Sequence, residues 1–227
     1  MNTLEEFQEK IGYRFHDVAY LRRALTHSSR CEGKLRVECY ERQEFLGDSI
    51  LSLVVSTRLF SDCGDMEEGQ LTKIRAAIVC EESLAKVAKR LNIGNYLFLG
   101  KGEEQTGGRE RISILADVVE AIIAAIFLDS GFEAARDWTL SQLGDLIELG
   151  IAGRLYHDSK TRLQEVLQGA GKETAHYRLV KEEGPAHNRI FTVAVYADGR
   201  RLATGSGRSK KEAEQAAATA ALEEMDA

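Results

Sequence analysis

The sequence contains no apolar run long enough to cross a membrane. Its longest nearly apolar stretch, ISILADVVEAIIAAIFL at 112–128, is interrupted by two acidic residues and is short for a transmembrane helix. The first residues, MNTLEEFQEK, do not show a basic region followed by an apolar one, which is the pattern of a secretory signal. We therefore expect a cytoplasmic protein that has no membrane partner.

Cysteine is scarce, with four residues in the chain: Cys31, Cys39, Cys63 and Cys80. None of them has the closely spaced partner that a structural zinc site requires. The sequence gives no sign of a zinc site, and we expect the four cysteines to be reduced structural thiols.

An excess of positive charge, the usual mark of a nucleic-acid-binding protein, is also missing. The formal net charge is −6, and residues 158–227 are balanced, with 11 basic and 11 acidic side chains. The first 157 residues hold the other 19 basic and 25 acidic side chains, and therefore the whole negative charge. Binding to a nucleic acid would need local basic patches, or metal ions that reverse the charge of the acidic region.

Helical patterns dominate residues 1–150, for which we predict an all-α domain. A capping box formed by Thr3 and Glu6 predicts the start of the first helix, and Gly12 predicts its end. The segment 98–111 has the composition of a loop. Further helices are predicted at 17–27, 41–60, 67–78, 81–91, 111–129 and 132–149.

The pattern changes after a predicted linker at 151–157. A short helix at 160–168 is followed by segments that alternate apolar and polar residues, and Asp198–Gly199 between two of them is a strong hairpin signal. A final helix begins at a second capping box, formed by Ser209 and Glu212. Residues 158–227 therefore predict a small α+β domain with the order α-β-β-β-α.

Two predicted helices carry clusters of acidic residues. In ERQEFLGDSI (41–50), at about 100° per residue, Glu41, Glu44 and Asp48 fall within an arc of roughly 60°. Asp117 and Glu120, three residues apart, share a face of a helix that is otherwise apolar almost all round. Such clusters are either solvated or ion-paired faces, or sites for a hard cation such as Mg²⁺, which prefers oxygen ligands. The pattern leaves open whether the two helices meet.

The order and spacing of several stretches favour the metal-site interpretation. The sequence resembles the ribonuclease III catalytic domain over nearly all of residues 5–148, in ERQEFLGDSIL, LTHSS, EEGQLTKIRA, and GG followed by SILADVVEAIIAAIFLD. The resemblance implies an all-α ribonuclease III fold. It also implies four metal ligands, of which Asp48 and Glu120 are the catalytic residues, and two acids that shape the cleft and support the metal region. The ligands are Glu44, Asp48, Asp117 and Glu120, and the supporting acids are Glu41 and Glu68.

The same resemblance implies a specific reaction. A water activated by Mg²⁺, for which Mn²⁺ can substitute, would cut double-stranded RNA and leave 5′-phosphate and 3′-hydroxyl ends. A homodimer would cut one strand with each subunit and produce short 3′ overhangs, and the expected substrates are rRNA precursors and structured mRNA. Gln43 replaces a usual Leu and Ile112 a common charged residue, but neither is a ligand position. We expect Gln43 to affect local packing or the dimer interface.

The second domain combines a polar helix face with a basic helix start. Short polar side chains on an outward face suit the wide, shallow minor groove of duplex RNA. Lys210 and Lys211 lie in the first turn of the last helix, where cations oppose the helix dipole but would bind a phosphate. Solvated side chains would show the same pattern. The predicted outward residues are Thr161, Gln164, Glu165 and Gln168, and the predicted inward ones are Leu163, Val166 and Leu167.

Taken together, TRLQEVLQ, GPAHNRIFTVAVY and GSGRSKKEAEQAAATAAL resemble the double-stranded RNA-binding domain over residues 158–227. The resemblance implies that the outward polar residues contact one minor groove and that His187 contacts the next. It implies that Lys210 and Lys211 contact the phosphates between the two grooves.

We therefore expect an endoribonuclease that cleaves double-stranded RNA. The alternative is a non-catalytic double-stranded RNA-binding regulatory dimer, which predicts the loss of one or more metal ligands, yet all four are present. An acidic helical scaffold for other proteins is a third possibility, which the basic helix start and the GPAH loop argue against.

Overall fold

The sequence folds into two compact units, Met1–Leu155 and Tyr156–Ala227. The structure is a computed structural model that describes residues 3–31, 38–153, 159–184 and 189–226. Within these ranges, no helix combines the length and the apolar character that a membrane span needs.

The first unit is all-α, as the sequence predicts, and its helices follow the predicted order. One addition is a short helix inside 98–111, which we predicted to be a loop. The helices are α1 Leu4–Ile11, α2 Val18–Ala24, α3 Glu41–Asp62, α4 Glu68–Ile78, α5 Glu81–Arg90, α6 Lys101–Gln105 and α7 Ile112–Ile151.

Helix α1 begins and ends where the sequence predicts, but the contacts of its first turn differ from those of the predicted capping box. The hydroxyl of Thr3 accepts the backbone N–H of Glu6 at 3.1 Å, and Gly12 closes the helix with φ of 69°. The carboxylate of Glu6 accepts a hydrogen bond from the Tyr96 hydroxyl at 3.0 Å. A long-range contact therefore uses the side chain that would complete the capping box.

Helix α7 is interrupted at Gly131, whose φ of 83° is unfavourable for residues with a side chain. The two predicted helices, 111–129 and 132–149, are therefore the two halves of α7. Just before the break, the buried Asp129 accepts hydrogen bonds from the Tyr13 hydroxyl at 2.8 Å and from the backbone N–H of Asp17 at 2.9 Å. Burial alone would raise the pKa of Asp129, but these bonds hold it well below its usual range.

Helices α3 and α7 pack against each other through the centre of the first unit. Leu51 and Val55 of α3 and Ile122 and Ile126 of α7 are completely buried. Because both acidic clusters lie on these two helices, the apolar core determines where the carboxylates are held.

Two of the four cysteines correct our expectation of free thiols. Cys31 and Cys39 form a disulfide, with Cα atoms 6.8 Å apart, whereas Cys63 and Cys80 are free. The backbone N–H of Tyr40 donates to the carbonyl of Thr26 at 3.0 Å, which draws the two ends of this loop together. A spacing of eight residues in the sequence does not reveal this approach.

The second unit has the predicted α-β-β-β-α order. Its strands form one antiparallel sheet in the order β1-β2-β3. The predicted hairpin is present: Asp198 and Gly199 have φ of 49° and 71°, as a two-residue turn with both residues left-handed requires. The elements are α8 Ser159–Gly169, β1 His176–Glu183, β2 Ile190–Ala197, β3 Arg200–Gly207 and α9 Lys210–Asp226.

Both helices of the second unit contribute to a small core with the sheet. Leu163 and Leu167 of α8, Val195 of β2 and Ala217 of α9 are fully buried there. Our prediction that Val166 faces inward is wrong, because it is 42% exposed. One residue turns an α-helix by about 100°, so the position before Leu167 points away from the sheet.

Candidate active site and RNA-binding face

The two acidic clusters meet because α3 and α7 touch at Gly47. A methyl group added to Gly47 would lie 1.9 Å from the carbonyl oxygen of Glu120, so only glycine allows this approach. Gly47 directly precedes Asp48 in the sequence. Sequence analysis did not assign Gly47 a role, although a glycine inside a strongly predicted helix is a signal of close packing.

The four predicted metal ligands lie in one shared electrostatic field. Burial, followed by the nearby carboxylates of Asp48, Asp117 and Glu44, raises the pKa of Glu120 to about 8. Burial also raises the pKa of Glu44, with further contributions from Asp117, Glu41 and Asp48. The contact at Gly47 brings the acids of α3 near Glu120, and their like charges oppose its ionisation.

Sequence analysis missed three residues around this cluster. The buried hydroxyl of Tyr40 donates to Asp117 Oδ2 at 3.1 Å. Burial raises the pKa of Asp117, whereas the Tyr40 bond and His27 act in the opposite direction. Glu81, the first residue of α5, raises the pKa values of both Asp117 and Glu120. Tyr40 directly precedes the acidic stretch 41–50 and His27 lies within LTHSS, so both had a sequence signal, whereas Glu81 had none.

The donor set fits a hard divalent cation. Carboxylate oxygens are the ligands that such ions prefer, and every main influence on Glu120 opposes its negative charge. The Oε2 atom of Glu41 is buried and has no hydrogen-bond partner among the described residues. As placed in the described ranges, no three His, Cys, Asp or Glu side chains converge closely enough to hold a metal ion. Like charges repel, so these carboxylates would converge around a cation.

Within a single chain, Glu68 lies apart from the carboxylate cluster. It begins α4, and its Oε1 accepts a hydrogen bond from the Thr72 hydroxyl at 2.9 Å. It lines an open cleft of about 460 Å³ together with Phe60 of α3 and Arg75 of α4. Glu68 is not among the acids that raise the pKa values of Glu44 and Glu120.

The two departures from the family pattern differ in environment. Gln43 is 3% exposed, and its Nε2 donates to the carbonyl of Tyr20 at 3.2 Å, while its Oε1 has no partner among the described residues. Gln43 therefore affects packing between α2 and α3. Ile112, at the start of α7, is 44% exposed.

The predicted RNA-binding residues of α8 do not all face solvent. Thr161, Glu165 and Gln168 are exposed, but Gln164 is half-buried. The Oε1 atom of Gln164 accepts a hydrogen bond from the backbone N–H of Ala175 at 3.0 Å. This side chain therefore also fixes the residue that directly precedes β1. The prediction for His187 lies outside the described residues.

The basic start of α9 is exposed and held in a fixed relation to α8. Lys210 and Lys211 are exposed, and the Ser209 hydroxyl accepts the backbone N–H of Glu212 at 3.1 Å. The ammonium group of Lys160 on α8 lies 2.6 Å from a carboxylate oxygen of Glu214 on α9. The structure therefore presents two exposed lysines at a helix start, which suits phosphate.

A helical unit with paired carboxylates, followed by an α-β-β-β-α unit, defines a class of metal-dependent nucleases that carry an RNA-binding domain. Residues 17–146 match the family model described as "Ribonuclease-III-like", and residues 159–225 match "Double-stranded RNA binding motif". The curated "Ribonuclease 3" of Caldanaerobacter subterraneus subsp. tengcongensis is 49% identical over 98% of this chain and 98% of its own. That of Clostridium tetani is 47% identical over 98% and 95%. The chain belongs to the ribonuclease III family, and it is an endoribonuclease that acts on double-stranded RNA.

A solved structure supports the same assignment for the helical unit. The nuclease domain of ribonuclease III from Campylobacter jejuni matches with a TM-score of 0.60 and 42% identity. The match covers 63% of this chain and 97% of that chain. That structure is described as flexible in the region involved in dimer formation.

Proposed function

We propose that Glu44, Asp48, Asp117 and Glu120 bind the divalent metal on which cleavage depends, and that Asp48 and Glu120 act closest to the reacting phosphate. The contact between Gly47 and the Glu120 backbone carries this proposal, because it brings the two acidic helices together. The metal in the cell would be Mg²⁺, with Mn²⁺ able to replace it, since both accept carboxylate oxygens.

When bound, the metal supplies an activated water and positive charge beside the phosphodiester. Hydrolysis of the bond between phosphorus and the 3′ oxygen would leave a 5′-phosphate on one product and a 3′-hydroxyl on the other. Tyr40 would orient Asp117 through its hydroxyl, and Glu41, whose Oε2 atom is buried, would support the ligands from the edge of the cluster. The raised pKa of Glu120 places its ionisation close to neutral pH, where a cation would favour the charged form.

We further propose that two chains form the active enzyme through the exposed face of α3. Phe45, Leu53 and Phe60 are 78%, 54% and 77% exposed, and helical geometry places them within an arc of about 80°. Large apolar side chains in one exposed stripe are typical of an interaction site. Phe60 also lines the cleft that contains Glu68, so a second copy covering the stripe would reach Glu68. Two facing sites would cut both strands and produce short 3′ overhangs.

The second unit would bind the duplex and the first would cut it. Thr161, Gln164, Glu165, Gln168 and His187 would contact minor grooves, while Lys210 and Lys211 contact the phosphates between them. The proposed domains are 1–150 and 158–227, joined by a linker at 151–157. We propose processing of rRNA precursors and structured mRNA in the cytoplasm.

Cleavage of an end-labelled RNA hairpin with a long stem tests this proposal directly. The purified protein is assayed with Mg²⁺, with Mn²⁺, with Ca²⁺ and with EDTA. We expect cuts on both strands with Mg²⁺ or Mn²⁺, 5′-phosphate ends and a short 3′ stagger. The variant Glu120→Gln should bind the hairpin as the wild type does and leave it uncut.

Two other outcomes would redirect the assignment. Tight binding without cleavage under all conditions would support the non-catalytic RNA-binding protein. Normal cleavage by a correctly folded Glu120→Gln variant would show that the carboxylate cluster is not the active site.

A further inference from the structure

A second cleft of the helical unit is lined by arginines rather than by acids. It is open, has a volume of about 410 Å³, and lies between α2 and the turn that follows it. We call it the arginine cleft, and its lining residues are Ala19, Arg22, Arg23, Thr26, Arg30, Cys31 and Glu38. Three arginines in one cleft are notable because the first 157 residues carry the whole net negative charge of the chain.

The arginines of this cleft form no ion pair within the described part of the protein. No salt bridge joins Arg22, Arg23 or Arg30 to a described residue. The guanidinium carbon of Arg22 lies 5.6 Å from the centre of the Phe98 ring, a contact that restrains the side chain and keeps its charge. Glu38 is the acidic residue among those that line the cleft.

Main-chain contacts hold the walls of the arginine cleft. Thr26 pairs with Phe98 in a short parallel bridge, and the backbone N–H of Phe98 donates to the carbonyl of Leu25 at 2.8 Å. The carbonyl of Thr26 accepts the backbone N–H of Tyr40 at 3.0 Å. These contacts fix the backbone next to Arg22 and Arg23, and a wall that is held in place lowers the entropic cost of binding.

These groups fit a ligand that carries both phosphate and hydroxyl groups. Guanidinium groups donate paired hydrogen bonds that match the oxygens of a phosphate. A carboxylate such as that of Glu38 accepts hydrogen bonds from ribose hydroxyls. The volume lies within the range of about 300–1,000 Å³ that is usual for small-molecule sites. We propose that the arginine cleft binds a phosphorylated ribonucleotide, either as a free nucleotide or as one unit of an RNA strand.

This site is separate from the carboxylate cluster but connected to it. The backbone N–H of Tyr40 donates a hydrogen bond to the carbonyl of Thr26 in the cleft, and the hydroxyl of Tyr40 donates one to Asp117. A ligand in the arginine cleft would therefore stabilise the residue that orients a proposed metal ligand.

Binding can be measured without cleavage, by the fluorescence anisotropy of labelled ATP with the full-length protein in EDTA. EDTA removes metal-mediated binding at the carboxylate cluster, so a failure of the proposed catalytic site would not affect this readout. Inorganic pyrophosphate and a short RNA duplex serve as unlabelled competitors. The variant combines Arg23→Ala with Arg30→Ala, and the matched control combines Arg14→Ala with Lys89→Ala, which removes the same charge from exposed positions elsewhere in the unit.

We expect the cleft variant to bind ATP at least about tenfold more weakly than the wild type, as the loss of charged hydrogen bonds implies. The control should stay within about twofold of the wild type. A lysine pair, Arg23→Lys with Arg30→Lys, should recover part of the affinity, which separates charge from folding.

The competitors identify the source of the ligand. Displacement of ATP by the RNA duplex, with a weaker salt dependence of RNA binding in the cleft variant, would assign the site to RNA phosphate. ATP binding that the duplex does not displace would assign it to a free nucleotide. The proposal is overturned if the cleft variant binds ATP as tightly as the control, or if ATP does not bind and the cleft variant and control have equal affinity for RNA.

Discussion

At the scale of single residues, Glu120 should link the proposed active site to folding stability. Its pKa is raised from 4.5 to about 8 by burial and neighbouring acids, so the folded chain keeps a proton that the unfolded chain has lost. Between these two values, the free energy of unfolding should fall as the pH rises, and it should level off above about pH 8.

The variant Glu120→Gln removes this dependence. In EDTA we expect it to be more stable than the wild type at pH 8, by on the order of 1–2 kcal/mol after allowance for solvent screening, and equally stable near pH 4.5. Denaturant unfolding across this pH range measures the difference, with the exposed Glu5→Gln as the control. Parallel stability curves for wild type and variant would contradict the shared electrostatic field of the cluster.

The Tyr40 hydroxyl should affect the pH profile of cleavage. It opposes the rise in the pKa of Asp117, so Tyr40→Phe should raise that pKa and move the acidic limb of the pH–rate profile to higher pH. We expect the rate near pH 6 to fall by about tenfold or more, which is typical when a residue that orients a ligand is lost.

The matched control is Tyr96→Phe, which also removes a tyrosine hydroxyl that donates to a carboxylate, but far from the cluster. Its pH profile should follow that of the wild type. If both variants lower the rate equally at every pH, Tyr40 has a packing role only.

At the scale of elements, the contact between α3 and α7 depends on Gly47. The variant Gly47→Ala should force the two helices apart, because its methyl group would overlap the Glu120 backbone. We expect a loss of about 2 kcal/mol or more in the free energy of unfolding, as for overpacked cores, and a larger proportional loss of cleavage than of RNA binding.

Gly144→Ala on α7 is the control, because a methyl group there meets nothing within 4 Å. This substitution should instead stabilise the protein by about 0.5–1 kcal/mol, since alanine is the better helix former. Equal stability of the two variants would show that α3 and α7 can adjust around a methyl group.

The start of α9 should control the salt dependence of RNA binding. The double variant Lys210→Ala with Lys211→Ala should bind duplex RNA more weakly and reduce the log–log salt slope by about one to two. Filter binding at several salt concentrations measures the slope, and Lys172→Ala with Lys181→Ala is the control for charge. A slope equal to that of the control would exclude phosphate contacts by these lysines.

The local sequence patterns predicted the helices and strands well, but they did not reveal contacts between residues that are distant in the sequence. The spacing within each pair, Glu44 with Asp48 and Asp117 with Glu120, predicted that its members share one face of a helix, because residues three or four apart are neighbours on a helix surface. The bond from Tyr40 to Asp117 joins residues 77 positions apart, and only the packed core brings them together. The family resemblance supplied the expectation that these helices meet, which the spacing alone left open.

The errors of prediction have the same origin. Gln164 and Val166 were assigned by helical period, but Gln164 is drawn inward by the N–H of Ala175 and Val166 lies at the edge of the buried face. No motif predicts the pairing of Cys31 with Cys39, which lies beside the long-range hydrogen bond from Tyr40 to Thr26. Tertiary contacts therefore decide the positions at which a periodic pattern is ambiguous.

At the scale of the whole molecule, assembly should depend on the exposed stripe of α3. The double variant Phe45→Glu with Phe60→Glu should convert a dimer into a monomer, because it places charge on the surface that would be buried. Sedimentation equilibrium measures the mass, and Val18→Glu on α2, also an exposed apolar position, is the control. A monomeric wild type, or a variant that stays dimeric, would contradict this interface.

The uneven division of charge should give the two units opposite responses to ions. Neutral salt would weaken the proposed attraction between the α9 lysines and RNA, whereas a divalent ion bound by the acidic unit would make that unit attractive to the same polyanion. By linkage, RNA should in turn tighten the binding of that ion. The affinity of the whole chain for duplex RNA should therefore pass through a maximum as magnesium rises, and the chain would respond to the ionic composition of its surroundings without a dedicated sensor.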